Sequence, residues 1–385
     1  MTVDEALSLE PIRLDWGWPS PELQATKSFA TVLESSTHED DVSDALFYGQ
    51  RPGNMLERES LAAALSLPGV TPVVPEALIL TSGAGVALDL LVGAHASPAS
   101  VCFTESLTYH NALKIIRDRG YTTIALARHP DGSLDFTRIE EQFRANPGAL
   151  TYIVPSFSNP CGETMSPESR KVLVTLASQF EIVIIADEVY RFLSFGEDIG
   201  ESLASLDPEG ATVASLGSFT KLAGPGLRLG WIEFGCPAAD SKLAQSVLET
   251  GLMINGGCLN QFSAAMVGKW LRAGHFEPHL AQVRTCLSTR AQRLYSALHR
   301  HLESDAVHFE APQGGYFLWM KPAPGQQRDL SRVFDAAGVG AREASVFSSR
   351  EDGTETGFRL SFSYYGEAAL EEAARRIGRS FYLTT

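Results

Sequence analysis

Thr212-Val213-Ala214-Ser215-Leu216-Gly217-Ser218-Phe219-Thr220-Lys221-Leu222-Ala223-Gly224-Pro225-Gly226-Leu227-Arg228-Leu229-Gly230-Trp231 is the stretch from which the rest of this chain can be read. Its apolar ends, Thr212–Leu216 and Leu229–Phe234, read as strands. No long helix separates them, so they are expected to be neighbouring antiparallel strands. The glycine-rich connection carries one lysine, Lys221, flanked by the Ser218 hydroxyl and the Arg228 guanidinium. A lone lysine is usually solvated. One that shares a strand end with a hydroxyl and an arginine also suits an anion.

Outward from that stretch, short apolar runs alternate with helical patterns. Strands are expected at Ala77–Thr81, Ser100–Thr104, Thr122–Ala127, Leu150–Val154 and Ile182–Ala186, with helices at Val86–Gly93, near Tyr109–Asp118 and at Glu168–Gln179. Such alternation predicts a largely parallel sheet covered on both faces. Beyond it, Asn260 to about His301 reads as nearly continuous helix broken around Gly274. A smaller α+β unit follows, with strands Tyr316–Met320 and Gly357–Ser363 and helices near Ser331–Ala337 and at Glu367–Ile377. At the other end, Asn54–Leu67 is helical. The first forty or so residues look irregular, with an aromatic loop at Asp15–Pro21 and then a short helix. The expected division is 1–45 as an N-terminal arm contributing to the small domain, 46–285 as the large domain and 286–385 as the C-terminal small domain.

Composition bounds the function. The 385 residues are 44% hydrophobic and 20% charged, which excludes disordered and coiled-coil classes. Asp and Glu outnumber Lys and Arg by 46 to 31, a net charge of −15 that repels a nucleic-acid backbone. Residues 1–10 are acidic, unlike a secretory leader, and apolar runs such as Ile182–Ala186 are too short to cross a bilayer. The five cysteines, Cys102, Cys161, Cys236, Cys258 and Cys286, are scattered. That pattern fits a reducing compartment rather than a disulfide scaffold or metal knuckle. The expectation is a cytoplasmic protein without metal, membrane or nucleic-acid partners.

Ligands of open parallel sheets bind at the carboxyl ends of the strands. The polar residues that follow the apolar runs are Ser82-Gly83-Ala84-Gly85, Asn159, Asp187 with Tyr190, and Ser218 with Lys221 and Arg228. Asp187 reads either as a salt-bridged or capping acid, or as a carboxylate holding a proton on a heteroaromatic nitrogen. Free N–H groups at Ala84 and Gly85 would open a helix toward a phosphate, although a plain glycine turn reads the same way. Taken together, an anion site, an amine and a rim carboxylate on successive strands are what pyridoxal phosphate requires.

On Asn159-Pro160-Cys161-Gly162, Asp187-Glu188-Val189-Tyr190 and Ser218-Phe219-Thr220-Lys221 to Gly230-Trp231, the chain resembles the class I/II aminotransferases, fold-type I pyridoxal-phosphate enzymes. The likeness runs from Gly17 to the last helix. It implies an α/β fold with a large, mostly parallel seven-stranded sheet domain and a smaller α+β domain. By the same resemblance, Lys221 is the lysine that bonds the cofactor, Asp187 the partner of its ring nitrogen, and Asn159 and Tyr190 the donors to its phenolic oxygen. Ser218, Arg228 and the backbone of Ala84 and Gly85 hold the phosphate, and Tyr109 stacks on the ring. Tyr48 reaches a neighbouring subunit's phosphate, which implies a homodimer. Arg359 and Asn159 bind the substrate α-carboxylate beside Gly17.

Three segments depart from the family pattern: Thr81–Gly85, Arg51–Leu56 and Ala341–Phe347. They approach the substrate pocket, so substrate identity stays open. The implied reaction is ping-pong transfer of an amino group from an L-amino acid to a 2-oxo acid, on 2-aminoadipate, aromatic or other large side chains. Arg13 and Arg51 are candidate partners for a distal carboxylate. A β-eliminating C–S lyase or an aminocyclopropane-carboxylate-synthase-like enzyme shares the same residues. A regulator's effector domain is the reading from another class, disfavoured by the early Asn159 motif and the acidic balance.

Overall fold

The computed structural model describes residues 10–36, 39–66, 71–95, 100–196, 200–257, 260–302, 306–323, 329–350 and 355–383. The acidic start at residues 1–9, Leu67 and Cys258 lie outside the described residues.

Seven strands form the main sheet: β2 (Leu78–Thr81), β3 (Val101–Thr104), β4 (Thr122–Ala125), β5 (Leu150–Ile153), β6 (Val183–Asp187), β7 (Val213–Ser218) and β8 (Gly230–Glu233). The short strand β1 (Ile12–Arg13) precedes them and pairs elsewhere. Their order in space is β2-β8-β7-β6-β5-β3-β4. Strand β8 runs antiparallel to both β2 and β7, and every other pairing is parallel. The antiparallel β7–β8 pair joined by the lysine connection is thus as expected from the sequence.

The sheet is buried on both faces, and side-chain alternation shows how. In β6, Val183 and Ile185 pack into one core while Ile184 and Ala186 pack into the other. Helices α6 (Phe136–Ala145) and α7 (Pro167–Gln179) cover the second core with Ile139, Phe143, Leu173 and Ala177. Both start at capped ends: Asp135 accepts from the Arg138 N–H, and Ser166 accepts from the Ser169 N–H with Pro167 next in line. On the other face lie α4 (Ala84–Ala94) and α5 (His110–Asp118), with Leu88, Leu91, Ala112 and Ile116 in the larger core.

Toward the N-terminus, α1 (Thr26–Ser35), α2 (Glu39–Leu46) and α3 (Met55–Leu65) pack around α10 (Gln261–Arg272). Much of the stretch read as irregular is therefore helical. The short apolar face of α1 hides its period, and only Val32 there is fully buried. Two further short helices, α8 (Lys242–Leu248) and α9 (Gly251–Gly256), precede α10.

The expected break near Gly274 separates α10 from α11 (Phe276–His301), a 26-residue helix. Residues 285/286, where the two domains were expected to divide, fall inside α11. A second, four-stranded sheet orders β12 (Arg342–Glu343), β13 (Phe358–Ser361), β10 (Phe317–Pro322) and β9 (Val307–His308). Helix α12 (Leu330–Ala337), capped by Asp329, leads into β11 (Val339–Gly340), which pairs in parallel with β1. The final helix, α13 (Glu367–Leu383), packs on α11 and α12. The β1–β11 pairing ties the N-terminal segment to this unit and carries residues 15–18 over the carboxyl ends of the main sheet.

Candidate active site

The carboxyl ends of β5, β6 and β7 and the start of α4 open on one cavity of about 500 Å³. Of the residues singled out from the sequence, Gly17, Ala84, Gly85, Tyr109, Asn159, Asp187, Tyr190, Ser218, Lys221, Arg228 and Arg359 all line it. Tyr48 does not. It is 79% exposed in the single chain, next to Phe47.

Lys221 sits just beyond β7. Its Nζ donates to the Gly17 carbonyl at 2.8 Å and lies 5.2 Å from the Tyr316 ring centre. Burial pulls its pKa down to about 8, Arg359 pulls further, and Asp187 opposes both. The Tyr316 hydroxyl in turn holds the Lys221 carbonyl at 3.0 Å. Asp187 ends β6. Its Oδ2 accepts from the Tyr152 hydroxyl at 2.7 Å, and burial pushes its carboxyl above the ordinary range. Burial also holds the Tyr190 phenol well above its usual value, so it stays a proton donor.

At the opposite end, Arg228 adopts a left-handed backbone, φ 45°. Its Nη2 faces the Ser82 carbonyl at 3.4 Å and its Nη1 faces Thr220 Oγ1 at 3.5 Å. Ser218 Oγ donates to Thr220 Oγ1 at 2.9 Å. Gly83, with φ 96°, turns the chain into α4, whose first N–H groups have no partner within the helix. Gly230 lets this turn approach the strand, because a Cβ on it would meet the Gly83 Cα at 2.8 Å. Hydroxyls, a guanidinium and a helix start make this end an anion cradle. Gly85 leaves open space beside it.

Arg359 in β13 forms the wall contributed by the smaller unit and is 3% exposed. Its Nη1 donates to Asn159 Oδ1 at 2.8 Å, its Nη2 to the Asp15 carbonyl at 2.7 Å, and its buried Nε has no partner. The guanidinium packs 4.3 Å from the Phe317 ring centre. Burial lowers its pKa to about 10, so it stays charged at neutral pH. Trp16 and Trp18, stacked at 5.0 Å, border the opening, and Trp18 is exposed. Arg13 lines the cavity but is paired with Asp15 at 2.8 Å, and Arg51 does not line it.

Sequence reading missed Tyr152, Tyr316, Thr220, His110 and Arg342. Thr220 stood inside the quoted motif. Tyr152 was masked by its place in an apolar strand, and the others reach the site only through tertiary packing.

The profile described as aminotransferase class I and II matches residues 19–377. The chain belongs to the aminotransferase class I and II family. Aromatic-amino-acid aminotransferase 1 of Thermococcus litoralis is 27% identical over 96% of this aminotransferase and 87% of its own length. The 2-aminoadipate transaminase of Thermus thermophilus is 29% identical over 94% and 88%. An uncharacterized helix-turn-helix transcriptional regulator of Escherichia coli, YdcR, is 26% identical over 94% of the chain and 75% of that protein. Among solved structures, kynurenine aminotransferase of Pyrococcus horikoshii superposes with a TM-score of 0.84 at 25% identity, covering 99% of this chain and 93% of that one. The expected fold-type I architecture is the one observed, and among the described residues no helix is long and apolar enough to cross a membrane.

Proposed function

We propose that this aminotransferase carries pyridoxal phosphate in the cavity at the carboxyl ends of β5–β7 and moves an amino group between an L-amino acid and a 2-oxo acid. One observation carries the reading. A half-buried lysine with a lowered pKa, a buried strand-end carboxylate, an anion cradle and a partly unpaired buried arginine share one cavity. The donor set fits the group. Lys221 would bond it, Asp187 would face its ring nitrogen, and Asn159 with Tyr190 would face its phenolic oxygen. Arg228, Ser218 and the start of α4 would take its phosphate, with Tyr109 against the ring. Bound there, the cofactor supplies an electron sink conjugated to the substrate Cα.

The chain's own residues do the rest. The Lys221 amine, with its pKa near 8, would be suited to take up and release the proton of the substrate Cα. Arg359 takes the α-carboxylate through its fork, and its bond to Asn159 links the carboxylate site to the cofactor's oxygen. Trp16 and Trp18 border the mouth, where they would exclude water from a large side chain. Exposed Leu46, Phe47 and Tyr48 support a homodimer in which Tyr48 reaches the partner's cradle. The names of the relatives support aromatic, kynurenine-like or 2-aminoadipate-like substrates. The scattered cysteines and acidic balance support a cytoplasmic enzyme without nucleic-acid partners.

The test is the absorption spectrum of the holoenzyme titrated with single amino acids in the absence of any 2-oxo acid. Conversion to pyridoxamine phosphate by one donor class, reversed by the matching 2-oxo acid, is the expected result. A cofactor that survives every donor while pyruvate or ammonia accumulates would establish elimination instead.

A further inference from the structure

Arg342 in β12 is the direct cross-strand neighbour of Arg359 in β13, and both side chains line the active-site cavity. Residues opposite one another on paired strands share a face with Cβ atoms about 5 Å apart, and like charges there are destabilising. Among the described residues the Asp15 carboxylate is the acid that acts on Arg359, and no acid pairs with Arg342. Among the described residues Arg342 makes no hydrogen bond or ion pair, and its Nε is buried without a partner. The next residue, Glu343, is exposed and accepts from Ser345 Oγ at 3.1 Å. The Asp15 carboxylate is occupied by Arg13, and Arg359 has only neutral oxygens as partners. His110 lines the same cavity with its Nδ1 buried and unpartnered. Burial, then Arg342 and Arg359, push its pKa down to about 4, so it adds an N–H but no charge.

One substrate α-carboxylate neutralises one guanidinium, and the second remains. We infer that Arg342 binds a carboxylate on the substrate's side chain, so that a dicarboxylic amino acid and its 2-oxo acid are the preferred pair. This assignment rests on the aminotransferase reading above. It replaces Arg13 and Arg51 as partners of the distal carboxylate, because the first is already paired and the second lies off the cavity. It also gives the departure of residues 341–347 from the family pattern a physical role. The side chain of a five- or six-carbon diacid would run from Arg359 toward the neighbouring strand.

Binding without turnover tests it. Holoenzyme is titrated calorimetrically with glutarate and with valerate, which lack an amine and differ in one carboxylate. The wild type is expected to bind glutarate at least 10-fold more tightly. Arg342→Leu should cut the glutarate-to-valerate ratio by roughly 10- to 100-fold, the size of one lost charge-assisted hydrogen bond, and Arg342→Lys should restore part of it. Retained cofactor absorbance shows that each variant is folded and loaded. Equal binding of the two acids by the wild type, or a ratio unchanged in Arg342→Leu, would overturn the assignment. A glutarate preference that falls in Arg342→Leu, in an enzyme that aminates no 2-oxo acid, would support Arg342 as the carboxylate site and contradict the aminotransferase reading alone.

Discussion

The Tyr152 hydroxyl donates to Asp187 Oδ2 at 2.7 Å, between adjacent parallel strands β5 and β6. Both residues are buried, and the bond fixes the carboxylate that would meet the cofactor's ring nitrogen. Tyr152 acts through Asp187, so it is a positioning residue. Tyr152→Phe removes a charge-assisted hydrogen bond of about 1.5–3 kcal/mol. Cofactor dissociation constants should rise about 10- to 100-fold by equilibrium dialysis, with the far-ultraviolet circular dichroism unchanged.

The lowered pKa of Lys221 sets a pH dependence. Burial disfavours the charged ammonium, so the neutral, nucleophilic amine dominates above about pH 8. An exposed lysine would need a pH above about 10.4. Stopped-flow absorbance of apoenzyme mixed with pyridoxal phosphate should show capture accelerating from pH 7 to 9 with a midpoint near 8. A midpoint near that of free lysine would contradict the assigned environment.

Arg359 holds Asn159 and the Asp15 carbonyl while its Nε stays free inside the cavity. A lysine cannot reproduce this fork. In Arg359→Lys, kcat/KM should fall roughly 100-fold or more for every α-amino acid, an amount set by losing bidentate carboxylate recognition. Amines without an α-carboxylate should lose far less, measured by single-turnover loss of the cofactor band.

Glu105, beyond β3, is buried, accepts from the Val154 N–H at 3.1 Å and has its pKa raised to about 7 by burial. A carboxyl raised in the folded state stabilises at low pH and loses that contribution as pH climbs through the folded value. Stability is therefore lost between about pH 4.5 and pH 7. Glu105→Gln, which keeps an acceptor without the charge, should stabilise the chain at pH 8 by about 2 kcal/mol and much less at pH 5. Thermal melts at both values check the sign.

The sheet was legible because its strands alternate between two buried faces, as Val183–Ala186 do, and because glycines and prolines separate them from capped helices. Helix α6, absent from the expected elements, is equally signposted by Asp135 as its cap and by Phe136, Ile139 and Phe143 packing into one core. The strand-end motif exposed Asp187 and Lys221, since they lie at or just beyond the carboxyl ends of the apolar strands β6 and β7, and Arg228 stands in the same glycine-rich connection before β8. Arg342 and His110 were not readable this way. Their proximity to Arg359 arises from β12–β13 pairing and from docking of the smaller unit on α5, contacts that no local spacing encodes. Tyr48 does not line the cavity of the single chain, and its role belongs to the proposed dimer.

On the proposed function, Lys221 is the residue that bonds the cofactor. Holoenzyme reduced with borohydride, digested and analysed by mass spectrometry locates that bond directly. The predicted result is a phosphopyridoxyl group on the peptide containing Lys221, lost in Lys221→Ala. A label on another lysine, or none after reconstitution with pyridoxal phosphate, would contradict it.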